Sequence, residues 1–338
     1  MSKSYHVAIV GATGAVGQEL LSVMERRNFP VGKVTPLASE RSLGKTVTFR
    51  GEAIPVRALG EDAFGGVDFA FFSAGATRSR QFAPAAMRAG AVVIDNSSAF
   101  RMDPGVPLVV PEVNAGDLAG HRGLIANPNC SAAILCVAVC PIHRAAGVRR
   151  IVVSTYQSAS GAGARAMAEL ESQSREVLEG RPARPEIFPH QIAFNLFSHN
   201  TRVAENGYNE EENKMVEETR KMFHAPDLPV VPTCIRVPVF RAHSESVLLD
   251  LGRPMAPAEA REVLASAPGV RVVDDAESNR FPMPVEASGE LDVLVGRIRQ
   301  EPGNPNGLAM FVSGDQLLKG AAWNAVQIAE CLVGGAGA

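Results

Sequence analysis

The chain has no Cys-x-x-Cys pair and no His/Cys cluster at zinc spacing, so no metal site is expected. Its five cysteines are an odd number, which suits free thiols in a reducing compartment better than a disulfide framework. Strong charge of either sign is also missing. The net charge is −3 and no Lys/Arg run stands out, which removes the electrostatic footprint of a nucleic-acid or membrane-surface partner. The longest uncharged apolar stretch, near Ser131–Ile142, is too short to span a bilayer. Met1–His6 passes into a strand without a signal-peptide apolar region, so a cytoplasmic protein is expected. There is no internal repeat, and low complexity is confined to Gly334–Ala338. What remains is ordinary globular composition, 46% hydrophobic and 20% charged, over 338 residues, enough for two domains.

The first third alternates short apolar runs with helical patterns, which predicts βαβ units and a parallel sheet. Strands are expected at His6–Val10, Val34–Ala38, Asp68–Ser73, Val92–Asp95, Leu108–Val110 and Leu124–Ala126, with helices over Gln18–Arg26 and Ser79–Ala89. A second region opens with a strand at Ile151–Gln157 and a helix near Arg165–Leu178. A loop rich in Pro and aromatics (Arg181–Tyr208) and a charged helix over Glu210–Met222 follow. Strand-like runs then dominate: Cys234–Phe240, Ser246–Leu251, Val270–Val273, Leu291–Arg299 and Leu308–Val312. That order predicts an α+β domain with a largely antiparallel or mixed sheet. A last helix, roughly Gln316–Leu332, is expected to return to the first domain, because its apolar face needs a partner. The fold class is therefore α/β: a Rossmann-type domain from residues 1–130 with 316–338, and an α+β domain from 131–315.

Asn127-Pro128-Asn129-Cys130-Ser131 carries the most chemical information. Two cap-forming asparagines and a stiffening proline lead into the apolar stretch Ala132–Val139, which reads as a buried helix. Cys130 then falls in a helix's first turn, where unpaired N–H groups and the helix dipole favour thiolate. From this window alone an inert core cysteine is as good a reading, since Cys136 and Cys140 lie further along the same helix.

Gly11-Ala12-Thr13-Gly14-Ala15-Val16-Gly17 lies between a strand and a helix, where glycines let the backbone approach a pyrophosphate. The spacing is Gly-x-x-Gly-x-x-Gly rather than the usual Gly-x-Gly-x-x-Gly, and it is the position that points to a dinucleotide. The second strand ends in Ser39-Glu40-Arg41-Ser42, about where such a domain meets the adenosine ribose. Glu40 there suits the 2′-hydroxyl of NAD, Arg41 and Ser42 suit the 2′-phosphate of NADP, and a solvated turn is the plain alternative. Ser160 and Gly161, in Ser158–Gly163, follow a strand and permit close backbone approach to a ligand; a flexible loop reads as well. Arg101 sits in a polar loop after a strand, as an anion site needs. Glu211 and Lys214 share a helix face, which is usually only a solvated ion pair. Arg236 follows an apolar segment and needs a partner, for which a carboxylate ligand is one candidate. His243 alone says little.

Taken together, these segments resemble aspartate-β-semialdehyde dehydrogenase. The likeness runs nearly end to end, through Gly11–Gly17, Asn96–Met102, Asn127–Ser131, Gln157–Gly163, Ile192–Asn195, Glu211–Lys214, Ile235–His243 and Asp315–Glu330. The resemblance implies reduction of 4-phospho-L-aspartate to the 4-semialdehyde with NADPH, on the route to lysine, threonine, methionine and diaminopimelate. It implies Cys130 as the nucleophile of an acyl-thioester and His243 as acid/base, with an ionisation between about pH 5 and 8. It implies Gln157 as a positioning group, Arg236 on the substrate α-carboxylate, Glu211 on the α-amino group, and Arg101 and Lys214 on the phosphate. Gly11, Thr13, Gly14, Ala15, Val16, Arg41, Ser42, Ser160 and Gly161 would contact NADP. Gln316 stands where the family commonly has Asn near the nicotinamide, with the same amide chemistry on a longer reach. The resemblance also implies a homodimer joined through the second domain.

Two alternatives stand beside it. N-acetyl-γ-glutamyl-phosphate reductase uses similar chemistry, but an N-acetyl group offers no charge to Glu211. A non-catalytic paralogue would be expected to lose the nucleophile or its partners, and Cys130, Gln157, Arg236 and His243 are all present.

Overall fold

The computed structural model describes residues 3–334. The chain divides into two compact units, Met1–Asn129 with Ala321–Ala338, and Cys130–Gly320. Cys130 and the segment 316–320 thus go with the second unit, whereas the sequence division assigned them to the first.

The first unit is built on six parallel strands. Its strands, in chain order, are β1 (Tyr5–Val10), β2 (Val31–Ala38), the hairpin β3 (Thr46–Phe49) and β4 (Glu52–Pro55), β5 (Arg57–Ala58), β6 (Phe69–Phe72), β7 (Val92–Asp95) and β8 (Leu124–Ala126). The sheet order is β5-β2-β1-β6-β7-β8, with the hairpin separate. Val7–Val10 and Phe69–Phe72 are buried without alternation, as expected of strands covered on both faces. Helices α1 (Ala15–Arg26), α2 (Ala76–Arg88) and the short α3 (Pro111–Asn114) lie between strands. Leu20, Leu21, Val23 and Met24 form the buried stripe of α1, which stops at Asn28, a residue that tolerates its φ of 52°. Phe64 and Phe72 stack at 5.9 Å between ring centroids in the core beneath α2. Leu108–Val110 is not a strand. Only Leu108 bridges β8, because Pro111 then turns the chain into α3.

The second unit opens with α4 (Cys130–Ala146), which is buried nearly all round over Ser131–Cys140 and is the unit's central helix. Next come β9 (Val148–Gln157), α5 (Ala164–Leu178), β10 (Phe197–Ser198), α6 (Glu210–Met222), β11 (Val230–Arg236) and β12 (His243–Leu251). After these lie α7 (Pro257–Ala265), β13 (Val270–Val272), α8 (Pro284–Ala287), β14 (Val293–Glu301) and β15 (Asn304–Gly314). The seven-stranded sheet runs β10-β11-β9-β12-β15-β14-β13; β11–β9 and β13–β14 pair parallel and the other neighbours antiparallel, so it is mixed.

The strand expected at Cys234–Phe240 is displaced towards the N-terminus. Pro232 is accommodated where β11 has β9 on one side only, since β10 reaches just Ile235 and Arg236. The strand then ends before Pro238, and residues 237–242 form a turn. The last helix is also interrupted: a π turn over Leu318–Ala322 precedes α9 (Trp323–Gly334), which packs on α1, α3 and β7 in the first unit. The hairpin β3–β4 and helix α7 have no counterpart in the sequence reading.

Candidate active site

In the first unit the glycine turn is a backbone cradle. Gly11 has φ of +92°, and a Cβ there would lie 2.5 Å from the Ser73 carbonyl oxygen. A Cβ on Gly17 would lie 2.4 Å from the Gly11 carbonyl oxygen, so only glycine lets α1 start this close to β1. Gly14 is the N-cap of α1 and gives no side-chain cap, so the first-turn N–H groups of Ala15 and Val16 keep no side-chain partner at the cap. Beside the turn is a cleft of about 200 Å³ lined by Gly11, Thr13, Gly14, Ser39, Ser42 and Arg78, among others. Thr13 and Ser42 hydroxyls meet across it at 3.3 Å. The donor set fits a dinucleotide pyrophosphate and ribose. Arg41 lies exposed on the turn after β2, while Arg78, unnoticed in the sequence, lines the cleft from the first turn of α2.

Arg101 is also in this unit, and it is buried. Its Nε donates to the Asn127 carbonyl at 2.9 Å and its Nη2 to the Asn96 carbonyl at 2.8 Å. The Asn127 amide in turn donates to Asn96 Oδ1 at 2.7 Å and accepts from Asn324 at 2.6 Å, which fixes the approach to Cys130.

The second unit gathers the other residues. Gln157 ends β9, Arg236 ends β11 as its parallel partner, and His243 begins β12, so three strands deliver them to one end of the sheet. Gly161 lies over two of them: a Cβ there would be 3.1 Å from His243 Nε2 and 3.2 Å from Arg236 Nη1. Cys130 is the first residue of α4 and half-buried, whereas burial pushes the thiols of Cys136, Cys140 and Cys234 up. A Cβ on Gly320 would come within 2.6 Å of Cys130 Cβ, so the π turn passes directly against the thiol residue.

Helix α6 is held by a capping box. Asn209 Oδ1 accepts from the Glu212 N–H at 2.9 Å, and Glu212 Oε2 accepts from the Asn209 N–H at 2.9 Å. Glu212 Oε1 also accepts from the Cys234 N–H at 2.9 Å, locking the helix start to β11. That lock aims Glu211 inward. Its Oε1 is 3.4 Å from Gln157 Nε2 and its Oε2 3.4 Å from Lys214 Nζ. The Glu211–Lys214 pair is therefore not the solvated pair its spacing suggested, because Glu211 is buried.

Arg236 is nearly fully buried, over the Phe188 ring at 5.3 Å. Its Nη1 donates to the Ser158 carbonyl at 2.8 Å and its Nη2 meets His199 Nε2 at 2.8 Å, while its Nε has no acceptor among the described residues. His243 Nδ1 accepts from the Ser158 N–H at 3.0 Å, so the neutral ring carries its proton on Nε2, which has no partner among the described residues. Burial, reinforced by the Arg236 charge, pushes His243 down to about 3. This corrects the expected titration between pH 5 and 8: at those pH values the ring is neutral.

Gln316 is spent inside the protein. Its Oε1 accepts from the Ala242 N–H at 2.9 Å and its Nε2 donates to Ser160, whose hydroxyl is 3.0 Å from that of Ser158. The chain ends at His243 Nδ1, 3.1 Å from the Ser158 hydroxyl. Asp315, fully buried and paired with Arg241 at 2.7 Å, fixes the turn bearing Gln316. Ser158 and His199 were not singled out by sequence reasoning.

A parallel-sheet dinucleotide unit joined in one chain to a mixed-sheet unit bearing a helix-start cysteine defines the class, a semialdehyde dehydrogenase. Residues 6–121 match the family model for the semialdehyde dehydrogenase NAD binding domain, and residues 139–319 match that for its dimerisation domain. Curated aspartate-semialdehyde dehydrogenases are similar over almost the whole length: that of Synechocystis is 54% identical, covering 98% of each chain. That of Aquifex aeolicus is 52% identical, covering 97% of this chain and 98% of its own. The crystal structure of aspartate semialdehyde dehydrogenase II from Vibrio cholerae superposes with a TM-score of 0.96 at 45% identity, covering 99% of this chain and all of the other, and the same enzyme has been solved complexed with ASA. The chain belongs to the aspartate-semialdehyde dehydrogenase family. It is an oxidoreductase of amino-acid biosynthesis with a Rossmann-type nicotinamide-dinucleotide domain. Among the described residues, no helix is long and apolar enough to cross a membrane.

Proposed function

We propose that the enzyme converts 4-phospho-L-aspartate to L-aspartate 4-semialdehyde and inorganic phosphate, using NADPH, through a thioester on Cys130. The observation that carries this reading is the convergence of Gln157, Arg236 and His243 at one sheet end beside the inward-turned Glu211. Arg236 binds the α-carboxylate with its unused N–H groups, and Glu211 takes the α-ammonium. Buried Glu211 favours a free amino acid over an N-acetylated one, whose amide offers that carboxylate no cation to add to Lys214. Lys214 supports the departing phosphate.

Cys130 attacks as thiolate, held ionised by the α4 N-terminus and by the Arg236 charge acting on it. Phosphate leaves and the thioester forms. NADPH, when bound, supplies the hydride that the thioester carbonyl accepts. His243, neutral with its proton on Nε2, donates a hydrogen bond to the oxygen that gains charge; collapse of that oxyanion re-forms the carbonyl, breaks the C–S bond and releases the semialdehyde and the Cys130 thiolate. His243 therefore acts as a donor and is not the base that ionises the thiol. In the first unit Gly11, Thr13, Gly14, Ala15, Val16 and Ser42 hold the dinucleotide, with Arg41 and Arg78 available to a 2′-phosphate.

The enzyme works in the cytoplasm as a homodimer. The second sheet's other face supports this, with Tyr156 and Phe311 side by side at 6.2 Å and Tyr156 exposed. The test is oxidation of L-aspartate 4-semialdehyde, followed as NADPH absorbance with and without inorganic phosphate. Turnover that requires phosphate supports the reading. Turnover with N-acetyl-glutamate semialdehyde and none with aspartate semialdehyde would replace it.

A further inference from the structure

We infer that His199 is a positioning residue for substrate binding, acting as the hydrogen-bond acceptor that fixes the Arg236 guanidinium. The inference rests on the reading above, in which Arg236 receives the α-carboxylate. His199 follows the two-residue strand β10, which pairs with β11 at Phe197–Arg236, and its backbone N–H donates to the Cys234 carbonyl at 2.8 Å. These contacts bring the ring to Arg236, with 2.8 Å between His199 Nε2 and Arg236 Nη2.

A guanidinium only donates, so Nε2 must accept and the proton of the neutral ring must sit on Nδ1. Nδ1 faces the Thr201 hydroxyl at 3.3 Å, and that hydroxyl also accepts the Glu211 N–H at 3.2 Å. One relay therefore joins Arg236 to the start of α6, where Glu211 waits for the ammonium. The Ser158 carbonyl and the Phe188 ring hold the rest of the guanidinium, but neither fixes Nη2. The charged groups acting on the ring are Glu211, Arg236 and Lys214, with neutral His243 the other titratable neighbour; burial, the largest influence, pushes His199 down to about 4, in keeping with a neutral acceptor.

The experiment compares His199→Leu, which cannot accept, with His199→Gln, whose amide oxygen can. His199→Leu should raise the KM for the semialdehyde about 10- to 100-fold with the NADP KM unchanged, as expected when a buried charged donor loses its acceptor. His199→Gln should recover to within about threefold, and His199→Leu should add nothing in an Arg236→Leu background. Equal defects in the Leu and Gln variants, or additive effects with Arg236→Leu, would overturn the inference. Should His199→Leu not fold, ¹⁵N NMR of the wild-type histidines decides. A ring protonated on Nδ1 supports the acceptor role, and one protonated on Nε2 overturns it. Absence of semialdehyde turnover in the wild type, with the Nδ1 tautomer present, would fail the functional reading rather than the Arg236–His199 contact.

Discussion

The two candidate sites are built on opposite principles. The turn after β1 works through what it lacks: at Gly11 and Gly17 a single Cβ would lie 2.5 and 2.4 Å from a carbonyl oxygen, and no charged side chain is buried there. The site of the second unit works through what it buries, with Glu211, Arg236 and His243 almost wholly out of water and joined by hydrogen bonds through Gln157 and Ser158. The first should respond to steric change and be indifferent to pH; the second should respond to charge, hydrogen-bond geometry and acid. Mutations that separate the two responses test that division.

The largest effect is expected at Cys130. Cys130→Ala removes the nucleophile and should lower kcat by more than about 10⁴-fold, and Cys130→Ser should be nearly as poor, because an alcohol is far less ionised than a thiol. Binding of NADPH, read by fluorescence titration, should be unchanged in both. Activity above a few per cent of wild type in Cys130→Ala would break the thioester mechanism.

Gly17→Ala strikes the other unit. Its Cβ meets backbone atoms that cannot yield cheaply, so a loss of stability of about 1–3 kcal/mol and weaker NADPH binding are expected. Gly14→Ala serves as the contrast, since its Cβ would meet only the Gly11 carbonyl oxygen at 3.3 Å. Alkylation of Cys130 by iodoacetamide should keep its rate in both variants. A Gly14→Ala defect as large as that of Gly17→Ala would show that the cradle is not set by backbone approach.

Arg236→Lys keeps the charge and loses the planar fork, so kcat/KM should fall about 10- to 100-fold, through both KM and kcat. The Phe188 contact and the Ser158 and His199 hydrogen bonds require a guanidinium rather than an ammonium. Unchanged steady-state kinetics would make Arg236 a structural residue.

The same contrast governs what the sequence could reveal. The glycine turn is contiguous and its position between strand and helix follows from a short-range pattern. So does Cys130, since Asn127-Pro128-Asn129 announces a helix start before an apolar run. The parallel and mixed sheets were legible from strand spacing in the same way. The second site is different, because Gln157, Glu211, Arg236 and His243 come from separate elements and gain meaning from the family likeness rather than from periodicity. His199 and Ser158 stayed hidden, because a two-residue strand and a backbone hydrogen bond to an imidazole leave no sequence pattern. Arg78 lies on an exposed helix start, where a cation is ordinary. The π turn at Leu318–Ala322 escaped notice for a related reason: Gly320 reads as a weak helical residue until Cys130 is seen against it.

The smallest effect expected is on the acid limb of stability, and it belongs to the second unit. Two of its histidines, half-buried His199 at about 4 and fully buried His243 at about 3, resist a proton that the unfolded chain takes up near 6.5. As pH falls below 6.5 the unfolded state therefore binds more protons, and stability declines by up to about 1.4 kcal/mol per pH unit for each histidine. Glu245 opposes them. It is fully buried, no group among the described residues donates to its carboxylate, and burial raises it well above 4.5. The folded state thus keeps a proton that the unfolded state releases, and this contribution to stability is lost as pH rises above 4.5. Above pH 4.5 the carboxyl therefore works against the two histidines. Urea titrations between pH 4.5 and 6.5 should show His199→Gln with a shallower pH slope than wild type, by about one proton. Glu245→Gln, which lacks the opposing carboxyl, should be steeper than wild type. Gly14→Ala, at a turn that buries no charged side chain, should parallel the wild type throughout. A Glu245→Gln slope equal to that of wild type would mean that Glu245 ionises in the folded protein as it does in the unfolded chain, and the division between a steric unit and a charge-burying one would lose its clearest case.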